Sequence, residues 1–368
     1  MSEPSTAAAG AGAPSPADHG FRLISRREVP LLGVVLEHFR HATGADHYHL
    51  ANDDPHRGFV ISFRTVPDDS TGLPHILEHL VLCGSARYPV RDPFFLMIRR
   101  SLQTFMNAMT GPDCTYYPFS SQVPKDFDNL LGIYLDAVFR PILNPLDFAQ
   151  EGYRIEPAAF DPEAFAGRGD GAHEPGVNGH GTATASAPAD PAAWAFKGVV
   201  YNEMKGAMGN TDAQLGDVAG RTLSPDTPFR FNSGGDPAVI PSLTHADLVA
   251  FHARHYAAAN ACIATFGDLD VAALHARLAP YLDERPGEPV PPPEPQPTLA
   301  LAESLRFPVP LEPGQDARDV SVVSLDWLWG DQRRLDDVLL GELVELLLLG
   351  HAGAPLRHAL ESSGLGRA

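Results

Sequence analysis

The chain has 368 residues, a length that favours two domains over a single hydrophobic core. Its formal net charge is −19, from 46 acidic side chains against 27 Lys and Arg. Such an acidic surface disfavours nucleic acid and anionic membranes as partners, and we expect it mainly to keep the protein soluble. Three widely spaced cysteines argue against a disulfide framework and predict a reducing compartment, which we take to be the cytoplasm.

The N-terminal third begins with a segment of low sequence complexity and continues as strands. Residues 1–20 have neither an apolar stretch nor an Arg-rich amphipathic pattern, and we expect a disordered tail. Residues 21–66 carry β-branched and aromatic residues between polar ones, which predicts strands. Four histidines of this segment fit alternating strand faces, so we expect them to be solvated: His38, His41, His47 and His49.

The stretch GLPHILEHLVLCGS, residues 72–85, contains the pattern with the clearest chemical meaning. On the short apolar helix predicted over 73–83, His75 and His79 lie one turn apart on one face. Two imidazoles in that arrangement can bind one zinc ion, and Glu78 beside them can take a proton from water. Two His and a Glu within five residues also occur by chance, so a core helix stays possible. A catalytic zinc site needs a third protein ligand.

Further along the chain, one helix offers that third ligand. Residues 93–103 predict an amphipathic helix, and residues 104–121 predict a hairpin around a Gly-Pro-Asp turn. A longer amphipathic helix follows, and then residues 161–192, which are rich in Gly, Ala and Pro and predict a disordered surface insertion. Order resumes with a helix in GVVYNEMKG that carries Glu203.

The last third alternates between helices and strands. Thr244 with an Asp three residues later is close to a capping box and predicts a helix start. A strand, a second helix and a proline-rich linker follow, then a strand-like segment at 319–329 and a helix from Leu335 to about Leu349. We therefore predict a catalytic α+β domain over 21–235 and a second, incomplete domain over 236–368.

Three segments together resemble the insulinase/pitrilysin family of zinc metallopeptidases, and most closely the N-terminal portion of its presequence-protease, falcilysin-like branch. They are GLPHILEHLVLCGSARYPVRDPFF, GVVYNEMKGAMGN and FNSGGDPAVIPSLTHADLVAFHARHY. The resemblance implies an α+β fold of two tandem clamshell domains, each a mainly antiparallel sheet packed by helices, with the second truncated. It also implies one zinc ion bound by His75, His79 and Glu203, with Glu78 as the general base. The interval between the histidines and Glu203 exceeds the family's usual spacing, and the insertion at 161–192 accounts for the excess.

The resemblance also implies a substrate and a partner. Short unstructured peptides, similar to targeting peptides, would add as an extra strand to the sheet edge formed by the hairpin. Asn107 would lie near the scissile bond beside Ala108 and Phe105, although Asn107 could equally end a strand. Family members are considerably longer, and their C-terminal half completes the substrate site. That half could come from a longer native chain or from another subunit.

Two other functions remain open from the sequence. Without its C-terminal half the chain could be a catalytically incomplete fragment, or a non-catalytic scaffold or peptide-binding homologue. A metal-storage or sensor module is the least favoured alternative, because such a module does not need a Glu between its two His ligands.

Overall fold

The structure is a computed structural model that describes residues 18–157, 194–297, 324, 326 and 328–364. The predicted insertion at 161–192 lies outside the described residues. The predicted tail at 1–20 and the predicted strand at 319–329 lie mostly outside them as well.

The described residues form two compact units, and their boundary differs from the predicted one at residue 235. The first unit comprises residues up to 210 together with 231–292, and the second unit comprises the remainder. We expected 236–292 in the second domain because helix–strand alternation resumes there in the sequence. The strand Ala261–Gly267 instead lies inside the sheet of the first unit. This pairing joins residues about 200 positions apart, which a local sequence pattern does not encode.

The first unit is built on an eight-stranded, mainly antiparallel sheet. Its strands are β1 (Phe21–Val29), β2 (Val34–His41), β3 (Asp46–Ala51), β4 (Arg57–Arg64), β5 (Gln103–Met106), β6 (Met109–Thr110), β7 (Cys114–Ser121) and β10 (Ala261–Gly267). Their order is β1-β2-β3-β10-β4-β7-β5, with β6 also paired to β7. Only the pairing of β10 with β3 is parallel among the described strands. Strands β8 (Arg154–Pro157) and β9 (Trp194–Lys197) form a separate antiparallel ribbon. The predicted α+β class is confirmed.

Ten α-helices accompany these strands in the described part of the chain. The first unit contains α1 (Leu73–Val81), α2 (Pro93–Arg100), α3 (Pro124–Phe139), α4 (Pro145–Glu151), α5 (Val199–Ala207), α7 (His245–His255) and α8 (Val271–Glu284). The second unit contains α6 (Thr211–Leu223), α9 (Leu335–Leu349) and α10 (Pro355–Ser362). The capping box predicted at Thr244 is present at the start of α7. None of the described helices is long and apolar enough to cross a membrane.

The core of the first unit lies where the central strands meet helices α1 and α3. Ile61 and Phe63 of β4 alternate with half-buried neighbours, and Tyr117 of β7 is fully buried beside them. Leu77 of α1 and Leu130 of α3 are also fully buried in the same cluster. Burying one such side chain contributes roughly 1.5–3 kcal/mol, so α1 is held firmly against the sheet.

The histidines of the first strands correct one prediction. His47 and His49 are almost fully buried instead of solvated, and so is His41 at the end of β2. Nδ1 of His47 lies 2.9 Å from Nε2 of His275 on α8, and its Nε2 lies 2.8 Å from the hydroxyl of Thr265. The alternation of the strand was read correctly, but the face that carries these histidines is covered by α8.

Candidate metal centre

Helix α1 places His75 and His79 together on one face, as their spacing predicts. The helix begins after Gly72, which has a φ of 69° that favours glycine, and it ends at Val81. Its apolar side chains point into the core, which fixes how the helix is rotated about its axis. The two imidazole centroids are 5.1 Å apart. The helix predicted over 73–83 is therefore confirmed, with its last turn shorter than expected.

Glu203 approaches the same two imidazoles from α5. Its Oε1 lies 3.7 Å from Nε2 of His75, and its Oε2 lies 3.9 Å from Nε2 of His79. The three ligand atoms lie within 4.8 Å of one another. Ligands on a tetrahedral zinc ion are separated by about 3.3 Å, as bonds of about 2.0–2.1 Å require. The two distances from Glu203 to the histidines exceed that value by roughly 0.4–0.6 Å, so these side chains can hold a metal ion after a small movement.

A close contact between two glycines sets the position of α5. Gly198 precedes α5 and packs on Gly152, which follows α4, so closely that a Cβ atom on Gly198 would lie 2.0 Å from the Gly152 carbonyl oxygen. The ribbon of β8 and β9 links the same two helices, with Arg154 opposite Lys197. We therefore expect the position of Glu203 not to depend on the length of the chain between β8 and β9.

The backbone of a glycine-rich loop orients His75. Nδ1 of His75 donates a 3.0 Å hydrogen bond to the carbonyl oxygen of Gly234. The side-chain oxygen of Asn232 accepts from the backbone N–H groups of Gly234 and Gly235, which stiffens this loop. A Cβ atom on Gly72 would lie 2.6 Å from the Gly234 oxygen, so only glycine fits there. With Nδ1 protonated, Nε2 of His75 is available as a ligand.

Glu151, at the end of α4, orients His79 in the same way, and the sequence interpretation missed it. Its Oε2 accepts a 3.1 Å hydrogen bond from Nδ1 of His79. Burial lowers the pKa of His79, but the bond to Glu151 and the charges of Glu78, Glu151 and Glu203 outweigh this effect and raise it. Glu151 lies three residues after the buried Phe148, so both lie on the same, inward face of α4. An acidic residue on a buried helical face was the feature of the sequence that could have pointed to Glu151.

Glu78 lies beside the two histidines and is 7% exposed. Its Oε2 accepts a 2.6 Å hydrogen bond from the hydroxyl of Thr110 on β6, a second residue that the sequence interpretation missed. Burial raises the pKa of Glu78, and the bond from Thr110 and the nearby imidazoles offset part of that rise. A raised pKa suits a carboxylate that must both accept and return a proton.

These side chains face a cleft of about 630 Å³. Asn107 and Ala108 line it, between β5 and β6. The backbone N–H of Asn107 donates to Pro118 and its carbonyl accepts from Tyr134, while its side-chain amide has no hydrogen-bond partner among the described residues. Phe105 lies outside the cleft lining and is 48% exposed on β5. The cleft wall also contains four carboxylates and three apolar residues of α2: Glu78, Asp92, Glu151, Glu203, Phe94, Phe95 and Ile98.

The fold of the chain is similar to that of a solved peptidase structure. It superposes on the crystal structure of pitrilysin with a TM-score of 0.51 at 18% identity, over 73% of this chain and 25% of pitrilysin. Residues 242–368 match the family model described as the peptidase M16 inactive domain. All residues of the candidate site precede residue 242, so that description refers to a segment outside the site.

Sequence similarity identifies the family. The chain is 38% identical over 357 residues to the mitochondrial presequence protease of Gibberella zeae, and the aligned region covers 95% of this chain and 32% of the relative. The chain is 47% identical over 257 residues to the mitochondrial presequence protease of Mus musculus, and that aligned region covers 69% of this chain and 22% of the relative. The chain belongs to the insulinase/pitrilysin family and is homologous to presequence proteases. It spans about a third or less of the length of these relatives.

Proposed function

We propose that this chain is the metal-binding part of a zinc-dependent endopeptidase that hydrolyses short unstructured peptides. One observation carries the proposal: the Nε2 atoms of His75 and His79 and the carboxylate of Glu203 converge beside the buried Glu78. Both imidazoles have their Nδ1 atoms bonded to acceptors, which is the arrangement found around metal-bound histidines. Two imidazoles and one carboxylate form a donor set that suits zinc and leaves a fourth position open.

The chemistry divides between the metal ion and the chain's own residues. Zinc, when bound, acts as a Lewis acid that makes water a better nucleophile and polarises a peptide carbonyl. Glu78 accepts a proton from water through its carboxylate and returns it to the leaving amine. His75, His79 and Glu203 hold the ion beside Glu78, and the Gly234 carbonyl and Glu151 keep the two rings in the binding orientation.

The edge of the sheet supports a peptide as the substrate. Strand β5 ends the sheet order, and among the described residues its outer edge pairs with no other strand. A peptide in extended conformation could add there through backbone hydrogen bonds. Asn107 and Ala108 would then lie between the added strand and the metal ligands, while Phe105 would contact a substrate side chain. Folded proteins could not present such a strand, so short unstructured peptides are the expected substrates.

A second candidate follows from the length comparison. The chain spans a third or less of the length of relatives named presequence protease, so the groups that complete a substrate chamber could lie outside this sequence. In that case the chain alone binds zinc and peptide but cleaves little, as a catalytically incomplete fragment or peptide-binding scaffold. The missing half would come from a longer native chain or from a partner subunit. The relatives' names place them in mitochondria, and the cytoplasmic location expected from the cysteines stays a prediction.

The test compares wild type with Glu78→Gln in two assays. Zinc content is measured by elemental analysis after dialysis, and cleavage is measured on a fluorogenic unstructured peptide. We expect one zinc ion per chain in both proteins and cleavage by wild type only. Zinc in both with cleavage by neither would favour the incomplete-fragment alternative. Absence of zinc from wild type would refute the proposal.

A further inference from the structure

Thr110 contacts the proposed general base directly. Its hydroxyl donates to Oε2 of Glu78 over 2.6 Å, and in the described part of the chain no other group donates a hydrogen bond to this carboxylate. Glu78 is 7% exposed, so little water is available to replace that donor. A short hydrogen bond to a buried carboxylate is among the stronger single hydrogen bonds in proteins.

A tight hairpin fixes the position of Thr110. It pairs with Thr115 across the antiparallel contact of β6 and β7, and the turn is closed by a 2.7 Å bond from the N–H of Gly111 to the carbonyl of Cys114. Thr110 is therefore held by backbone pairing, independently of its contact with Glu78. The hydroxyl of Thr110 is therefore preorganised to donate to the carboxylate of Glu78.

The bond determines which carboxylate oxygen is free. The last torsion angle of a Glu side chain is broad and roughly two-fold, so an unrestrained carboxylate samples many orientations. With Oε2 bonded to Thr110, Oε1 is left without a hydrogen bond from the described residues, in a side chain that lines the cleft. A base acts only when its free oxygen is within hydrogen-bond reach of the proton it removes.

We propose that Thr110 is a positioning residue that holds Glu78 by one oxygen and so presents the other to the cleft. The inference rests on the proposed function, in which Glu78 is the general base. It predicts that the hydroxyl, not the bulk or β-branching of residue 110, determines how well Glu78 works. Thr110 is not a proposed zinc ligand, so its hydroxyl is not needed for zinc binding.

Three variants separate positioning from a general structural effect. Thr110→Val keeps the shape and the strand propensity but removes the hydroxyl, and Thr110→Ser keeps the hydroxyl. Thr65→Val is the matched control, because it removes a hydroxyl that bonds Thr115 in the same hairpin without touching Glu78. Each variant is purified as the full chain, checked for zinc content, and assayed for kcat and KM on the fluorogenic peptide.

We expect Thr110→Val to lower kcat by about 10-fold or more, the equivalent of one hydrogen bond to a charged group, with KM and zinc content unchanged. Thr110→Ser should recover most of kcat, and Thr65→Val should stay within about twofold of wild type. In a Glu78→Gln background, Thr110→Val should add no further loss, because the base is already absent. A Thr110→Val protein as active as wild type, or an equal loss in Thr65→Val, would overturn the inference.

A structural measurement decides the same point without depending on turnover. In crystals of the zinc-loaded proteins, Glu78 should keep its position in wild type and Thr110→Ser and rotate in Thr110→Val. An unmoved Glu78 in Thr110→Val would overturn the inference even if wild type cleaves no peptide. If wild type cleaves and Glu78→Gln does not, while Thr110→Val behaves as wild type, the proposed function stands and only the role of Thr110 fails.

Discussion

Removing Glu151 should weaken zinc binding although Glu151 is not one of the three ligands. Its carboxylate accepts a 3.1 Å hydrogen bond from Nδ1 of His79, and both side chains are largely buried. A hydrogen bond to a charged group contributes roughly 1.5–3 kcal/mol, which corresponds to about 10- to 100-fold in a dissociation constant. The same range is typical of groups that orient metal-binding histidines. We therefore expect Glu151→Ala to raise the zinc Kd by about 10- to 100-fold.

The assay is a competition titration of zinc against a chromophoric chelator at constant pH. Glu151→Gln should lie between wild type and Glu151→Ala, because its amide oxygen still accepts from His79 but carries no charge. Asp147→Asn is the matched control, since it removes a negative charge from the same helix without a hydrogen bond to His79. A zinc affinity in Glu151→Ala equal to that of wild type, or an equal loss in Asp147→Asn, would refute this account of how His79 is oriented.

Three further predictions concern stability and the insertion. Burial lowers the pKa of His252 to about 4, so the unfolded chain binds a proton at this residue more tightly than the folded chain does. The contribution of His252 to stability should therefore be full above about pH 6.5 and fall by roughly 2–3 kcal/mol as the pH drops toward 4. Urea unfolding at several pH values checks this, and His252→Gln should flatten the slope. Replacing residues 161–192 by a short Gly-Ser linker should leave the zinc Kd unchanged, because the pairing of β8 with β9 already fixes α4 against α5. A tenfold weaker zinc affinity in the shortened protein would contradict this prediction. Gly72→Ala should lower the free energy of unfolding by roughly 2–4 kcal/mol, because residue 72 has a φ of 69° and the new Cβ atom would clash with the Gly234 oxygen. Thermal unfolding measures this change, and an unchanged melting temperature would contradict the prediction.

The local elements could be predicted well because their patterns are complete within a few residues. The apolar period of α3, the capping box at Thr244 and the Gly-Pro-Asp turn before β7 each require only near neighbours. The place of β10 could not be found in this way. Its pairing with β3 and β4 spans over 190 residues, and nothing in its own sequence selects these partners over others.

The residues of the candidate site also differ in whether local sequence alone could bring them together. His75, Glu78 and His79 lie within one turn of a helix, so helical geometry alone places them together. Glu203 was a candidate third ligand on a separate helix, the resemblance implied that role for it, and the structure brings its carboxylate to the same point. Glu151 stayed hidden because its contact with His79 depends on how α4 packs against α1, which no local pattern specifies.

The same reason explains Thr110 and the buried histidines. The bond from Thr110 to Glu78 depends on the approach of a sheet edge to a helix. His47 and His49 alternate as a strand requires, but a period of two does not say which face a later helix will cover.

Anomalous diffraction at the zinc absorption edge, from crystals of the full chain grown with one equivalent of zinc, tests the central claim most directly. The account predicts a single strong peak, about 2.0–2.2 Å from Nε2 of His75, Nε2 of His79 and a carboxylate oxygen of Glu203. It also predicts that Glu78 lies beside the ion without binding it. A crystal without a peak there, or with zinc bound at other residues such as the buried His47 and His275, would contradict it.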